Sequence, residues 1–209
     1  MPEDAFDDSQ TPQQSSDGGT NPPGLQRIEH SMASARVPEE VGRGVFATDA
    51  IVLGGAEEIW IDFVLGLGHP PRLAARVILP PGVAKRLVAA LDESLGKYAQ
   101  RFGGLPRDPA NAQKTTGQVP QTPQSPQPPQ APPQPAPRPI AEVYETIKAS
   151  DETLSGVYAN LASITFSGSE FCIDFVAGLF PRSIVAARVY MAAPHIPELL
   201  ASLKRSVGS

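Results

Sequence analysis

Hydrophobic residues alternate with other residues in two stretches of the chain, and both stretches return at one constant offset. The segment EIWIDFV, residues 58–64, places its Ile and Phe side chains on one face of a strand. The segment LAARVIL, residues 73–79, alternates in the same way. EFCIDFV (170–176) and VAARVYM (185–191) repeat the pattern 112 residues further on. The pattern predicts two strands in each of two copies of one unit.

A further strand and a helix flank this strand pair in each copy. Aromatic and β-branched residues are frequent in VFATDAIVL, residues 45–53, and in VYANLASITF, residues 157–166, and each run ends in a glycine-containing turn. After the last strand, the apolar residues of 83–98 recur at helical spacing, and those of 196–207 do the same. The order predicts an α+β fold made of two β-β-β-α repeats.

Composition divides the chain into four parts. Residues 1–43 are rich in Asp, Ser, Gln, Pro and Gly without sustained periodicity, which predicts a disordered acidic tail. Residues 104–155 contain a run of Pro and Gln that favours an extended polyproline II spacer, so we assign them to a linker. The two repeats then occupy residues 44–103 and 156–209. The 24 prolines lie mostly outside these repeats, as expected for folded modules separated by unfolded segments.

The sheet face that the helix does not cover is also apolar in both copies. Each copy contributes three residues to it: Trp60, Val64 and Ile78 in the first, and Cys172, Val176 and Tyr190 in the second. A unit of roughly 60 residues that exposed such a face would be marginally stable and adhesive. We therefore expect the copies to cover each other as an intramolecular pseudo-dimer, and the chain to be a monomer. Face-to-face packing and joining of sheet edges are both compatible with the pattern.

One acidic and one basic residue recur at matching positions of the hairpin strands. In a hairpin centred on residue 69, Asp62 faces Arg76 across the strands, and Asp174 faces Arg188 in the second copy. We interpret both as structural ion pairs, because neither copy places a nucleophile or a base nearby. The alternative is a ligand site in which the arginine binds a carboxylate or a phosphate.

The hairpin loop GLGHPPR, residues 66–72, is a candidate anion-binding loop. Backbone amides next to glycine can bind anions, and His69 and Arg72 would add side-chain donors. The second copy reads GLFPRS at this place, and Gly together with Pro is more typical of a turn. A turn is therefore the first interpretation of the loop, and an anion site the second.

The chain lacks the sequence signatures of common enzymes. No Ser-His-Asp order, HExxH, Walker loop or GxGxxG occurs in it. Among the three histidines, His30 lies in the tail, His69 in the loop and His195 at a helix start. The single cysteine, Cys172, lies on an apolar strand, which favours an inert thiol over a nucleophile. We expect no enzyme activity, no catalytic residue, no metal site and no cofactor.

Net charge and hydropathy limit the binding partners and the cellular compartment that we expect for the protein. The net charge is −5, the acidity lies in the tail and the repeats are near neutral, which disfavours nucleic-acid binding. No apolar run reaches the roughly 18 residues of a membrane span, and the N-terminus lacks the pattern of a signal peptide. A single cysteine fits a reducing compartment. We expect a soluble cytoplasmic protein that does not bind membranes.

The order of VFAT or VYAN, then IDFV, then AARV before a helix resembles the bacterial domain-of-unknown-function family numbered 3467. The resemblance covers residues 44–102 and 156–207, with Thr48 standing where the second copy has Asn160. Family members look like single short domains, so a tandem arrangement implies the fusion of two subunits. The family has no established activity, so the resemblance implies module boundaries and no catalytic residue.

Two functions are compatible with the sequence. The first is a non-enzymatic protein-interaction or scaffold module, whose tail and spacer act as flexible adaptors and whose protein partner is not identified. The alternative is a small-ligand or anion-binding regulatory protein that uses the Asp/Arg faces and the loop around His69.

Overall fold

The fold is mixed α+β, with two four-stranded sheets and helices. A computed structural model describes residues 35–105, 139–179 and 181–208. Most of the predicted acidic tail lies outside these described residues, and so does most of the Pro/Gln-rich spacer. The prediction that both segments are disordered therefore concerns residues that the structure does not describe. Among the described residues, no helix is both long and apolar enough to cross a membrane.

Each half of the chain ends in a strand hairpin followed by a helix. The elements of the first half are α1 (Glu39–Gly42), β1 (Val45–Ala47), β2 (Asp49–Gly54), β3 (Ile59–Leu65), β4 (Arg72–Leu79) and α2 (Pro81–Phe102). Those of the second half are α3 (Ile140–Thr146), α4 (Asp151–Ser155), β5 (Val157–Tyr158), β6 (Leu161–Phe166), β7 (Glu170–Leu179), β8 (Arg182–Ala192), a 3-10 turn (Ala193–His195) and α5 (Ile196–Val207). Helices α3 and α4 fall within the segment that the sequence assigns to the linker.

The first predicted strand of each repeat is two strands in the structure, and these belong to different sheets. Strand β5 pairs in parallel with β4, which gives a sheet of order β2-β3-β4-β5, here called sheet I. Strand β1 pairs in parallel with β8, which gives a sheet of order β1-β8-β7-β6, here called sheet II. The observed arrangement therefore differs from the predicted three-strand unit, because each sheet contains one short strand from the other half of the chain.

A short polar side chain marks each point where the chain passes from one sheet to the other. Thr48 follows β1, and its hydroxyl oxygen accepts a hydrogen bond from the backbone N–H of Gly66 at 2.8 Å. Asn160 follows β5 at the equivalent position. Its side-chain oxygen accepts from the N–H of Gly178 at 2.7 Å, and its side-chain nitrogen donates to the Gly178 carbonyl at 3.1 Å. These bonds hold the crossing against the adjacent hairpin, so the chain bends here instead of continuing as one strand.

A glycine in a left-handed conformation precedes each exchanged strand. The φ angles of Gly44 and Gly156 are 64° and 70°, a region that other residues rarely adopt. A Cβ atom at Gly44 would lie 2.5 Å from the Tyr190 ring, and one at Gly156 would lie 2.9 Å from the side chain of Arg76. The close approach of the chain to the opposite sheet therefore requires glycine at both positions.

Both repeats contribute to one buried core. The rings of Phe63 and Phe175, which occupy equivalent positions of β3 and β7, lie 5.6 Å apart within it. Helix α2 contacts α5 and strand β6, and α5 contacts strand β2. The hydroxyl of Tyr98 in α2 donates to the carbonyl of Gly168 at 2.6 Å, next to β6. Each long helix thus packs on an edge strand from the other repeat.

The sheet faces predicted to meet between the repeats are outer faces instead. Trp60 is 37% exposed, and Ile78, Cys172 and Tyr190 are half-buried. Only the two valines of the predicted set are buried; each follows a β-bulge, at Phe63/Val64 and Phe175/Val176. The physical reason is that the inner faces of both sheets and both long helices already form the joint core.

Candidate binding faces of the two sheets

Each outer face carries a row of side chains that crosses all four strands. The registered neighbours in sheet I are Leu53, Trp60, Ile78 and Tyr158. Those in sheet II, at equivalent places, are Thr165, Cys172, Tyr190 and Phe46. The side chains of Tyr158 and Phe46, at the exchanged strands, are 46% and 41% exposed. Aromatic and aliphatic surface is therefore accessible on both outer faces.

An arginine and an aspartate form a bidentate pair beside this row in sheet I. Arg76 Nε and Nη2 donate to the two carboxylate oxygens of Asp62, both at 2.7 Å. The third contact of the guanidinium is Nη1 to the carbonyl oxygen of Leu154 in α4, at 3.1 Å. The hydrogen bonds to Asp62 raise the pKa of Arg76 above its ordinary value. Because the Asp62 side chain is only 1% exposed, this is a buried charge with a full set of partners.

Tyr144 of α3 covers the ion pair on the outer face of sheet I. Its hydroxyl donates to Oδ2 of Asp62. The guanidinium carbon of Arg76 lies 5.5 Å from the ring centroid of Trp60 and 5.9 Å from that of Tyr144, which is cation–π distance. Burial, followed by the hydrogen bond to Asp62, raises the pKa of Tyr144 to about 12. Tyr144, Asp62, Arg76 and Trp60 together form what we call the tyrosine latch.

The same ion pair lies on sheet II, where α3 is not among its described contacts. Arg188 Nε and Nη2 donate to the two oxygens of Asp174 at 2.7 Å, and Nη1 donates to the Gly42 carbonyl of α1 at 3.4 Å. The Asp174 side chain is 21% exposed, against 1% for Asp62. The residue 112 positions before Tyr144 in the sequence is Met32, which lies outside the described residues. Among the residues that the structure describes, no counterpart of α3 covers sheet II.

Cys172 lies on the outer face of sheet II next to this pair. Its Sγ is 3.9 Å from Oδ1 of Asp174. Burial, followed by the negative charge of Asp174, raises the pKa of the Cys172 thiol. A raised pKa and a half-buried position do not suit a nucleophile. The thiol is nevertheless a useful reporter, because it is the only one in the chain and occupies the place that Trp60 has in sheet I.

The two loop residues proposed for anion binding, His69 and Arg72, do not line the same groove. His69 is exposed in the hairpin loop, and it does not line the adjoining groove. Arg72 lines that groove, of about 710 Å³, together with Lys148 and Ser150. Backbone bonds at 2.8 and 2.9 Å join Lys148 to Pro71 and Leu73. The structure therefore brings Arg72 to a lysine from the predicted linker, and not to His69.

A second cleft lies between the two AAR motifs of β4 and β8. It measures about 340 Å³, and its lining consists of pairs of equivalent positions, among them Arg76 with Arg188 and Glu40 with Glu152. The two guanidiniums are already bound to aspartates, and the glutamates are exposed. The charge of this cleft therefore does not favour an anion.

Sequence reasoning missed Tyr144 because the Pro/Gln-rich composition of the preceding residues was extended to position 155. The segment IAEVYETI, residues 140–147, contains neither Pro nor Gln, and its apolar residues have helical spacing. That break in composition is the signal that could have identified an ordered segment here. Within the described ranges, no group of His, Cys, Asp and Glu is arranged to bind a metal ion.

Comparison with known proteins identifies one family. The model of a family described as "Protein of unknown function (DUF3467)" matches the chain twice, over residues 7–107 and 112–209. These matches begin upstream of the predicted repeats, and the second includes α3 and α4. No curated protein and no solved structure matches the chain.

Proposed function

Because the chain belongs to the DUF3467 family and contains two tandem copies of the family domain, we propose a function from the chemistry of the outer faces of the two sheets. The protein is a non-enzymatic protein-interaction module. The outer face of sheet II binds a short segment of a partner protein, in the way that the outer face of sheet I binds α3.

The contact between α3 and sheet I is the observation that carries this proposal. One tyrosine hydroxyl gives Asp62 a further hydrogen-bond donor, and the tyrosine ring lies against the guanidinium of Arg76. Sheet II has the same Asp/Arg pair in the same geometry, with a more exposed carboxylate. A carboxylate with accessible oxygens next to exposed aromatic surface is suited to a hydroxyl-bearing aromatic side chain.

The partner segment is short and has a tyrosine at its centre. The tyrosine donates to Asp174 and packs on Arg188 and Cys172. The segment does not extend far toward the hairpin loop, because Arg36 already pairs with β8 there through backbone bonds of 2.9 Å to Ser183 and Val185. A partner segment without this hydroxyl would donate no hydrogen bond to Asp174, so it would bind more weakly.

The proposal includes an intramolecular pseudo-dimer as the scaffold of these faces. The exchange of β1 and β5 and the packing of α2 on β6 and of α5 on β2 support it. Light scattering is expected to find the full chain monomeric and residues 35–105 alone self-associated, since the isolated half lacks β5 and α5. A full chain that is a stable dimer, or an isolated half that stays folded and monomeric, would contradict the pseudo-dimer.

A peptide with the sequence of residues 139–147, PIAEVYETI, tests the binding function. It ends before Lys148, because the equivalent place on sheet II is filled by Arg36. We expect the labelled peptide to bind the full chain in fluorescence anisotropy and to slow the reaction of Cys172 with a maleimide. A peptide with Phe at the tyrosine position is the matched control, and it should bind roughly tenfold more weakly, as expected for one hydrogen bond to a charged group.

The site of binding is tested by a conservative change in the protein. Asp174→Asn keeps the size of the side chain and removes the negative charge, so it should weaken the tyrosine peptide and affect the phenylalanine peptide little. Equal binding of both peptides, or binding that leaves the reaction rate of Cys172 unchanged, would overturn the proposed use of sheet II.

A second candidate function is anion binding in the groove of Arg72. The specific observation in its favour is that Arg72 and Lys148, both exposed, line the same groove. Phosphate and citrate are then expected to raise the thermal midpoint of the full chain, and Arg72→Gln with Lys148→Gln to abolish the rise. Lys85→Gln, at an exposed position of α2, is the control. An equal rise in all variants would exclude this groove.

A further inference from the structure

Two basic residues lie side by side where the segment before α4 joins the edge of sheet I. Arg72 and Lys148 are register partners in a parallel bridge, and both side chains are exposed. Among the described residues, neither of them forms an ion pair with an acidic side chain. Like charges directly opposite each other across strands are destabilising. The two bases therefore cost stability here, and folding alone does not account for them.

The second half of the chain shows that this bridge does not require two bases. The bridge at the equivalent place joins Arg36 to Ile184, at the offset of 112 that relates the two hairpins. Its backbone bonds measure 2.9 Å, and those of Lys148 measure 2.8 and 2.9 Å. The same backbone pairing therefore forms with an isoleucine at the position that Arg72 occupies in sheet I. The second base in sheet I adds charge to the groove and is not needed for the bridge.

The other described residues that line the groove are apolar or carry a hydroxyl, and none is acidic. Phe46, which is 41% exposed, and the half-buried Leu65 contribute apolar surface, and Ser150 and Thr153 contribute hydroxyls. The groove measures about 710 Å³, which is typical of sites for small organic ligands. An inorganic anion would contact the bases but would leave the apolar surface in water. The lining therefore suits a ligand that has both a negative charge and an apolar part.

We propose that this groove binds a small organic acid whose carboxylate contacts Arg72 and Lys148 and whose apolar body packs on Phe46 and Leu65. The inference rests on the second candidate function, anion binding in this groove, and names its ligand class. A guanidinium binds a carboxylate through two parallel hydrogen bonds, and an ammonium adds a third donor. Burial of the apolar body supplies further affinity.

The adjoining cleft limits the ligand to a single negative charge. It shares Gly44 and Thr153 with the groove, and its lining includes the exposed Glu40 and Glu152. A second carboxylate on the ligand would be repelled by these glutamates. A monocarboxylate therefore fits the groove better than a dicarboxylate or tricarboxylate of similar size.

An amide ¹H–¹⁵N titration of the full chain with acetate, butanoate and octanoate, at constant ionic strength, tests this inference. Affinity should rise about twofold for each added methylene, and up to the roughly fourfold expected for full burial. The shifts should concentrate in residues 46, 65, 72–74 and 148–150.

Variants of the two bases and of the apolar surface test each part of the site. Arg72→Gln with Lys148→Gln should weaken octanoate at least about tenfold, because the charged donors are lost. Arg36→Gln, in the equivalent bridge of the other half, is the matched control and should leave the affinity unchanged. Phe46→Ser should weaken octanoate several-fold and leave acetate binding as it is.

The outcomes separate this inference from anion binding itself. Equal affinity for the three acids, lost in the variant without the two bases, would overturn the organic acid while anion binding stands. Phosphate that binds the groove when no acid does would have the same meaning. Octanoate binding that the removal of both bases leaves unchanged would also overturn the inference. Absence of shifts in the groove with the acids, phosphate and citrate would overturn both the inference and the second candidate function.

Discussion

The two outer faces carry the same ion pair in the same geometry but differ in burial. In sheet I, Asp62 is closed off by the tyrosine of α3, whereas in sheet II the equivalent Asp174 keeps about a fifth of its side chain exposed. The hairpins, the bulges and the exchanged strands are equivalent in the two halves. Among the described residues, one difference between the faces is α3, which brings the Tyr144 hydroxyl to Asp62 in sheet I.

Under the proposed function, the duplicated unit separates stability from binding. A buried bidentate pair with a further donor is costly to open, because opening it leaves charged groups without partners. In the more exposed pair of sheet II, water can replace a protein hydrogen-bond donor to Asp174 at a low cost in free energy. In this proposal, one copy of the unit holds α3 in place and the other binds a partner.

The largest expected effect distinguishes the two aspartates. Asp62→Ala should lower the free energy of unfolding by about 3 to 5 kcal/mol, because Arg76 and Tyr144 lose their buried partner. Asp174→Ala should cost less, about 1 to 3 kcal/mol, because solvent already reaches that pair. Urea denaturation followed by circular dichroism measures both.

The double variants Asp62→Ala/Arg76→Ala and Asp174→Ala/Arg188→Ala are the controls for these effects. Each should recover part of the loss of its single aspartate variant, since no charge is then left unpaired. A cost at Asp174 equal to that at Asp62, or a single variant that its double does not rescue, would contradict the account of the two pairs.

A smaller effect is expected for Tyr144→Phe. The change removes one hydroxyl donor to Asp62 and keeps the ring on Arg76, so it should cost about 1 to 2 kcal/mol. It should also alter the fluorescence of Trp60, the single tryptophan, while the reactivity of Cys172 on the other sheet stays the same. An unchanged stability would show that the hydroxyl contributes nothing to the latch.

The smallest effect concerns alkaline pH. The folded protein holds the pKa of Tyr144 at about 12, above the ordinary value near 10, so folding favours the neutral hydroxyl. The stabilisation by this group is complete below pH of about 10 and is lost as the pH rises through about 12. The difference in unfolding free energy between the wild type and Tyr144→Phe should therefore shrink over this range. A difference that grows with pH would have the wrong sign for this assignment.

The hairpins and the ion pairs are the part of the architecture that sequence patterns predict. Alternation in β3 and β4 sets their faces, and the symmetric placement of Asp62 and Arg76 within one hairpin predicts their register. Both are local properties of about twenty residues. The repetition of the same residues at a fixed offset makes the inference stronger, because two copies give the same answer.

The exchange of strands could not be read from the same patterns. VFATDAIVL has continuous strand character, and the hydrogen bonds of Thr48 to Val64 and Gly66 explain why the chain crosses between the sheets there. Which face becomes the core also depends on where α2 packs, and its contact with β6 joins residues far apart in sequence. Alternation alone does not distinguish the two faces of a strand when both are apolar. Non-local contacts such as this one decide which face is buried.

The central claim is that the Asp/Arg pair of sheet II, and not that of sheet I, is the binding site for a partner segment. Its most direct test is an amide ¹H–¹⁵N correlation spectrum of the full chain during titration with the tyrosine peptide of residues 139–147. We predict shifts concentrated in residues 172–174 and 188–190, with the signals of 60–62 and 76–78 unchanged. Shifts of equal size on both sheets, or shifts confined to the groove around Arg72, would contradict the claim.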